Sequence, residues 1–185
     1  MRIRSSWGGS PNIRAVQGAV SNARGRDFED YLDRACQLYR NIGIANIEKT
    51  PEPFKCLKKN KGGRAIVQFI HHAQPDYKGV LLNGQAIIFE AKCTTKDRIQ
   101  QSVLTQNQAD MLRDYQRLGA YTAVCVGIQD EYFFVPFQYF DNMGEILGHK
   151  YATADNLKPW KVPFNGSAVF FLDNLYNVAK IRAKP

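Results

Sequence analysis

The sequence predicts an α/β fold: a mixed β-sheet flanked by helices, with a stalk-like β-hairpin inserted ahead of the central strands. Three observations lead there. Apolar residues at helical spacing over 28–39 and 104–118 alternate with short runs rich in β-branched and aromatic residues at 86–89 and 121–128. Asn83-Gly84 lies between two extended runs and signals a tight hairpin turn. The 185 residues, 44% of them apolar, suffice for one domain with a real core but not for two.

In chain order, residues 1–22 are rich in Gly, Ser, Asn and Arg without periodicity and read as a flexible basic arm, leaving 23–185 as a single domain. A first helix begins at Asn22 or Gly25 and runs to Tyr39. Phe28, Tyr31, Leu32, Ala35, Cys36 and Tyr39 form its apolar face, and Asp27, Glu29 and Asp30 suit its N-terminal turns through the helix dipole. Residues 42–47 suggest a strand. Pro51-Glu52-Pro53 interrupts it before the extended run 54–57, the basic turn 58–64 and the alternating run 65–72. Together these make the insertion at about 54–74. Strands at 77–82 and 86–89 follow, then a polar loop at 94–101. A second helix starts at Ser102 or Thr105 and stops at Gly119. Residues 121–128 read as a core strand, 132–135 as its hairpin partner and 136–147 as a short helix. The stretch 148–166 looks irregular and anchored by Trp160, with a last strand at 168–172 and a helix at 175–181.

Chemistry concentrates in the pair Pro75-Asp76 and, fourteen residues after Asp76, Glu90-Ala91-Lys92. Period-2 alternation points Glu90 and Lys92 to the same face of their strand, and the turn at Asn83-Gly84 brings Asp76 back beside Glu90. Two acidic oxygens and the Ala91 carbonyl can hold Mg²⁺ in an octahedron completed by water and phosphate oxygens, while Lys92 orients or deprotonates a water. That is the chemistry of phosphodiester hydrolysis. The plain structural alternative is a turn aspartate followed by a cross-strand ion pair.

Charge supports the first reading. The formal net charge is +8. Residues 1–26 carry Arg2, Arg4, Arg14, Arg24 and Arg26 with no acidic residue, and residues 55–64 carry Lys55, Lys58, Lys59, Lys61 and Arg64, again with none. Two basic segments flanking an acidic site fit a polyanion bound through its phosphates. Cys36, Cys56, Cys93 and Cys125 are scattered without metal spacing and read as reduced thiols of a cytoplasmic protein, Cys93 as a packing residue rather than a nucleophile. His71, His72 and His149 read as ordinary sheet or surface residues. Neither a signal peptide nor an apolar run of spanning length is legible.

The order helix, antiparallel strands carrying D…E-x-K, helix, strand resembles the core of the restriction-endonuclease-like superfamily over residues 25–135. Within it the chain looks most like the RecU-type Holliday-junction resolvases. The residues that carry this are Arg24-Gly25, Phe28-Glu29-Asp30-Tyr31-Leu32, Ile47-Glu48-Lys49-Thr50-Pro51, Asp76-Tyr77-Lys78-Gly79, Phe89-Glu90-Ala91-Lys92 and Asn107-Gln108. The resemblance implies a homodimeric, Mg²⁺-dependent endonuclease, with Mn²⁺ able to substitute, that cuts opposed strands of a four-way DNA junction. It implies Asp76, Glu90 and Ala91 as metal ligands, Lys92 as the water-orienting base, and Glu29 and Gln108 as supporting contacts. DNA would meet Arg24, Arg26, Lys49, Lys58, Lys59, Lys61 and Arg64, and other recombination proteins are conceivable partners.

The chain also departs from that family. The stalk segment is short, and Pro75 replaces the family's usual hydroxyl residue before the aspartate. Residues after about 147 match no part of the pattern. Small size and these departures suit a divergent version from a phage or another mobile element. Two alternatives stay open: a DNA nuclease of the same superfamily without junction selectivity, and a non-catalytic DNA-binding accessory protein.

Overall fold

A computed structural model of the chain describes residues 13–51, 53–60, 62, 64–69 and 74–176. Its centre is a five-stranded mixed sheet. The strands β1 (Ala45–Lys49), β4 (Tyr77–Leu81), β5 (Ala86–Thr94), β7 (Tyr121–Ile128) and β8 (Glu131–Pro136) stand in the order β1-β4-β5-β7-β8. Only β5 and β7 run parallel; the remaining pairs are antiparallel. A parallel pair needs a long crossover, and α2 (Gln106–Arg117) supplies it across one face of the sheet. Helix α1 (Ile13–Asn41) covers the opposite face. The expected mixed sheet flanked by helices is present.

The core forms two layers because β7 is buried on both sides, only its first residue being half-exposed. On the α1 side, Phe28, Leu32 and Tyr39 pack with Ile47, Tyr77, Phe89, Phe134 and Phe171. On the α2 side, Ile88, Val124, Val126 and Val135 meet Leu112, Phe137 and Phe140. Each such side chain, fully buried, contributes about 1.5–3 kcal/mol of transfer free energy. The Asn83-Gly84 turn sets the register Tyr77↔Phe89, with Gly84 at φ 81°. Gly79 is required for another reason: a Cβ there would lie 2.1 Å from the Asn46 carbonyl oxygen, so any side chain would push β1 off β4.

The insertion is a separate two-stranded sheet, β2 (Phe54–Lys59) with β3 (Ala65–Phe69). A register shift between Cys56 and Lys58 leaves Leu57 as the extra residue of a bulge. Asn60 N donates to the Arg64 carbonyl at 2.8 Å across the turn. All of β2 is solvent-exposed, including Phe54 and Leu57.

Several boundaries differ from the sequence expectation. Helix α1 starts at Ile13, so residues 13–22 are helical rather than part of an unstructured arm; residues 1–12 lie outside the described residues. The segment reads Ile-Arg-Ala-Val-Gln-Gly-Ala-Val-Ser-Asn: Ile13, Val16 and Val20 stand at i, i+3 and i+7, but Gly18, Ser21 and Asn22, weak helix formers, obscure that short stripe. Asp27, Glu29 and Asp30 therefore sit in mid-helix, too far from its N-terminus for the dipole to favour them. The polar loop at 94–101 contains β6 (Arg98–Gln100) and leads into a 3-10 turn (Gln101–Val103); β6 pairs with β9 (Tyr151–Thr153) from the stretch expected to be irregular. That stretch also holds α5 (Ala154–Leu157) and Trp160, which packs on Tyr139 at 4.1 Å between centroids.

The expected helix at 136–147 is two, α3 (Phe137–Asp141) and α4 (Met143–Leu147), parted at Asn142. Residues 168–172 contribute only an isolated bridge, Phe164↔Val169, and α6 (Asp173–Tyr176) is the last described element. The expected helix beyond Tyr176 lies outside the described residues. No described helix is long and apolar enough to cross a membrane.

Candidate active site

Ile88, Glu90 and Lys92 alternate along β5 on the α2 side of the sheet, while Phe89 faces α1. Tyr77 is anchored on the α1 side by its hydroxyl, which donates to Asp33 Oδ1 at 2.8 Å, and by stacking on Phe89 at 4.8 Å and 5°. Burial, then the Asp33 carboxylate, raise its phenol well above the ordinary range. Asp76, one residue earlier, consequently turns the other way. Its Oδ2 accepts from Ala91 N at 2.9 Å and from Lys92 Nζ at 3.1 Å.

Lys92 Nζ also donates to Glu90 Oε2 at 2.9 Å, so one ammonium joins both carboxylates. Gln108 reaches the same oxygen from the first turn of α2, its Nε2 donating to Glu90 Oε2 at 2.5 Å. The helix start fixes that reach: Thr105 caps α2, accepting from Gln108 N at 3.3 Å, while Gln108 Oε1 accepts from Thr105 N at 3.1 Å. Thr105 was missed as a contributor, although Thr105-Gln106-Asn107-Gln108 is a legible capping-box pattern.

Glu90 is 0% exposed, and its second oxygen, Oε1, is buried without a hydrogen-bond partner. An unsatisfied carboxylate oxygen is expensive in such a place. Burial, then the nearby Asp76 charge, push the Glu90 carboxyl up to about 8, against the opposing pull of Lys92. Burial works against the Lys92 ammonium, but Asp76 and Glu90 outweigh it and hold its pKa above the usual lysine value. The orphaned oxygen beside a second, partly exposed carboxylate suits a hard divalent cation, which prefers oxygen donors and tolerates few protein ligands. Among the described residues no group of three or more His, Cys, Asp or Glu is placed to hold a metal, so the candidate donors are Asp76, Glu90 and the Ala91 carbonyl.

Other expected residues fall elsewhere. Glu29 pairs with Lys49 at 2.6 Å, and neither hydrogen-bonds to Asp76, Glu90 or Lys92. Lys49 lies opposite Tyr77 in the ladder and so points to the α1 side, which takes Glu29 with it. Arg24 is engaged by Asp130, while Arg26 is exposed on α1. Lys58, Lys59 and Arg64 are exposed around the hairpin turn; Lys61, His71 and His72 lie outside the described residues. Cys93 is half-buried against Gly127, and burial raises its thiol, the opposite of nucleophile activation. His149 stacks on Tyr151.

The chain is similar in sequence to known proteins. The family model RecU, Recombination protein U, matches residues 23–176. A Holliday junction resolvase RecU from Geobacillus kaustophilus (strain HTA426) is 31% identical over 126 residues, covering 65% of this chain and 62% of the relative. The chain thus spans about three fifths of the length of that curated relative. A solved Holliday junction resolvase, Hjc from Archaeoglobus fulgidus, aligns with a TM-score of 0.40 at 14% identity, over 60% of this chain and 75% of that one. Since the family match runs from the middle of α1 through α6 and contains the whole Asp76, Glu90, Lys92 and Gln108 cluster, the chain belongs to the Recombination protein U family.

Proposed function

We propose that this chain is a metal-dependent endonuclease that resolves four-way DNA junctions, a single nuclease domain with the β2–β3 hairpin as its stalk. The observation that carries the reading is the convergence of Asp76, Glu90 and Lys92 with Gln108 around one buried, unsatisfied carboxylate oxygen. Asp76, Glu90 and the Ala91 carbonyl would hold Mg²⁺, or Mn²⁺ in its place. When bound, the ion offsets phosphate charge and makes a coordinated water more acidic. Gln108 holds Glu90 Oε2, which leaves Oε1 directed away from that bond. Lys92 keeps its proton beside two carboxylates, so it orients the attacking water and donates to the phosphate rather than serving as the first proton acceptor. Glu29, paired with Lys49 on the α1 side, is left out of this set.

The net charge of +8 and the exposed Lys58, Lys59 and Arg64 suit a phosphate-rich partner, and the recombination family membership favours branched DNA. Paired cuts in opposed strands require two sites, hence a two-fold homodimer. Incubating end-labelled four-way junctions and linear duplex of the same sequence with and without Mg²⁺ tests the proposal. Symmetric metal-dependent incisions on the junction are expected; equal cutting of both substrates would reduce the reading to a nuclease without junction selectivity. A strictly monomeric mass at concentrations giving symmetric cleavage would remove the dimer.

A further inference from the structure

Residues after about 147 match no part of the family pattern legible in the sequence, yet they complete a surface beside the candidate site. Ribbon β6–β9 pairs Gln100↔Tyr151, Ile99↔Ala152 and Arg98↔Thr153. Ile99 and Ala152 are buried in the same core layer as Ile88, Val124 and Leu112, so the ribbon packs on the sheet face that also bears Glu90 and Lys92. By alternation, Arg98, Gln100, Tyr151 and Thr153 turn outward.

Three planar groups line up there. His149 stacks on Tyr151 at 3.8 Å and 10°, and the Arg98 guanidinium lies 5.0 Å from the Tyr151 ring centroid. Lys150 falls between His149 and Tyr151 in sequence and so turns to the other side of the strand, its stem against Gly144, where a Cβ would come within 3.5 Å of it, and its backbone carbonyl accepting from Gln101 N at 2.9 Å. Lys96, exposed at the preceding turn, is the second cation beside Arg98. Asp97 is joined to Arg98 by two exposed contacts, of 3.1 and 3.3 Å, that solvent and salt weaken. The ribbon is therefore net cationic, and it runs directly into the 3-10 turn (Gln101–Val103) ahead of Thr105 and Gln108. Arg, Lys, Tyr and Gln displayed on a rigid ribbon are suited to contacting a phosphate backbone without reading bases.

We propose that the outward face of the β6–β9 ribbon, formed by Arg98, His149 and Tyr151 with Lys96 at the preceding turn, binds the phosphate backbone of the duplex arm flanking the cleaved strand. It rests on the junction-nuclease reading and adds to it a second contact, remote from the hairpin. The stacked rings hold the Arg98 guanidinium in place, so ordering it on binding loses little side-chain entropy.

The test is the salt dependence of metal-free binding to four-way junctions, by fluorescence anisotropy, for wild type and for Arg98→Gln with Lys96→Gln. Lys96 is exposed and Arg98 half-exposed, and equal melting temperatures establish that the double variant is folded. On junctions with arms of roughly 15 base pairs, about one and a half helical turns, two lost phosphate contacts lower the log K against log salt slope by about 1.8. On arms of roughly 6 base pairs, about half a turn, the difference shrinks toward zero. Arg98→Lys, which keeps the charge, retains the wild-type slope. An unchanged slope on long arms overturns the proposal and returns the ribbon to a structural or protein-docking role. Equal loss on long and short arms overturns it as well, leaving only general electrostatics. Failure of the wild type itself to bind or cut DNA would instead sink the nuclease reading.

Discussion

Replacing Gln108 by alanine separates what this residue does for its helix from what it does for the site. Its Oε1 closes the capping box with Thr105, and its Nε2 donates to Glu90 at 2.5 Å. Loss of a capping contact costs about 1 kcal/mol, and loss of a hydrogen bond to the protonated Glu90 of the metal-free protein costs about 0.5–1.5 kcal/mol. Gln108→Ala should therefore destabilise the protein by about 1.5–2.5 kcal/mol, whereas Thr105→Ala, which loses only the cap, should cost about 1 kcal/mol. Gln108→Glu keeps a capping side chain but sets a second carboxylate against buried Glu90, so its loss should exceed that of Thr105→Ala. Urea denaturation of metal-free protein measures all three. In cleavage, a Glu90 freed from its tether should cost roughly 10–100-fold in apparent metal affinity or rate for both Gln108 variants, while Thr105→Ala stays within a few-fold of wild type. If Gln108→Ala is no worse than Thr105→Ala in both assays, Gln108 is only a cap and the site loses a member.

Asp76→Asn and Glu90→Gln should each abolish cleavage while metal-free junction binding stays equal or tightens, because a negative charge near bound phosphate is removed; wild-type cleavage by either under saturating Mg²⁺ would rule the site out. Metal-free stability should fall as pH rises from about 5 toward 8, since buried Glu90, raised to about 8, keeps a proton that the unfolded chain has already released. Thermal melting of Glu90→Gln should lack that slope, and an identical slope in both proteins would assign the pH dependence elsewhere. Replacing Lys58, Lys59, Lys61 and Arg64 together by alanine should weaken junction binding and lower its salt slope by roughly 0.9 per lost phosphate contact, with linear duplex less affected. Equal loss on both DNAs would make the hairpin a general basic patch.

The strands of the candidate site were legible in the sequence because their geometry is local. Alternation along 86–92 is enough to put Glu90 and Lys92 on one face, and Asn83-Gly84 is enough to return Asp76 beside them in the Tyr77↔Phe89 register. Gln108 came only through the family resemblance, and its double attachment needed the folded helix start. What the sequence could not decide depends on which side of the sheet a residue faces and on pairings far apart in the chain. Glu29 and Lys49 look like site residues in one dimension, yet α1 and the β1–β4 register place them across the sheet. The early start of α1 carried only a faint signal, since Ile13, Val16 and Val20 at i, i+3 and i+7 stand among the weak helix formers Gly18, Ser21 and Asn22. The β6–β9 ribbon joins two three-residue strands about fifty residues apart in the chain. Strands that short have no period, and only the shared core under Ile99 and Ala152 brings them together.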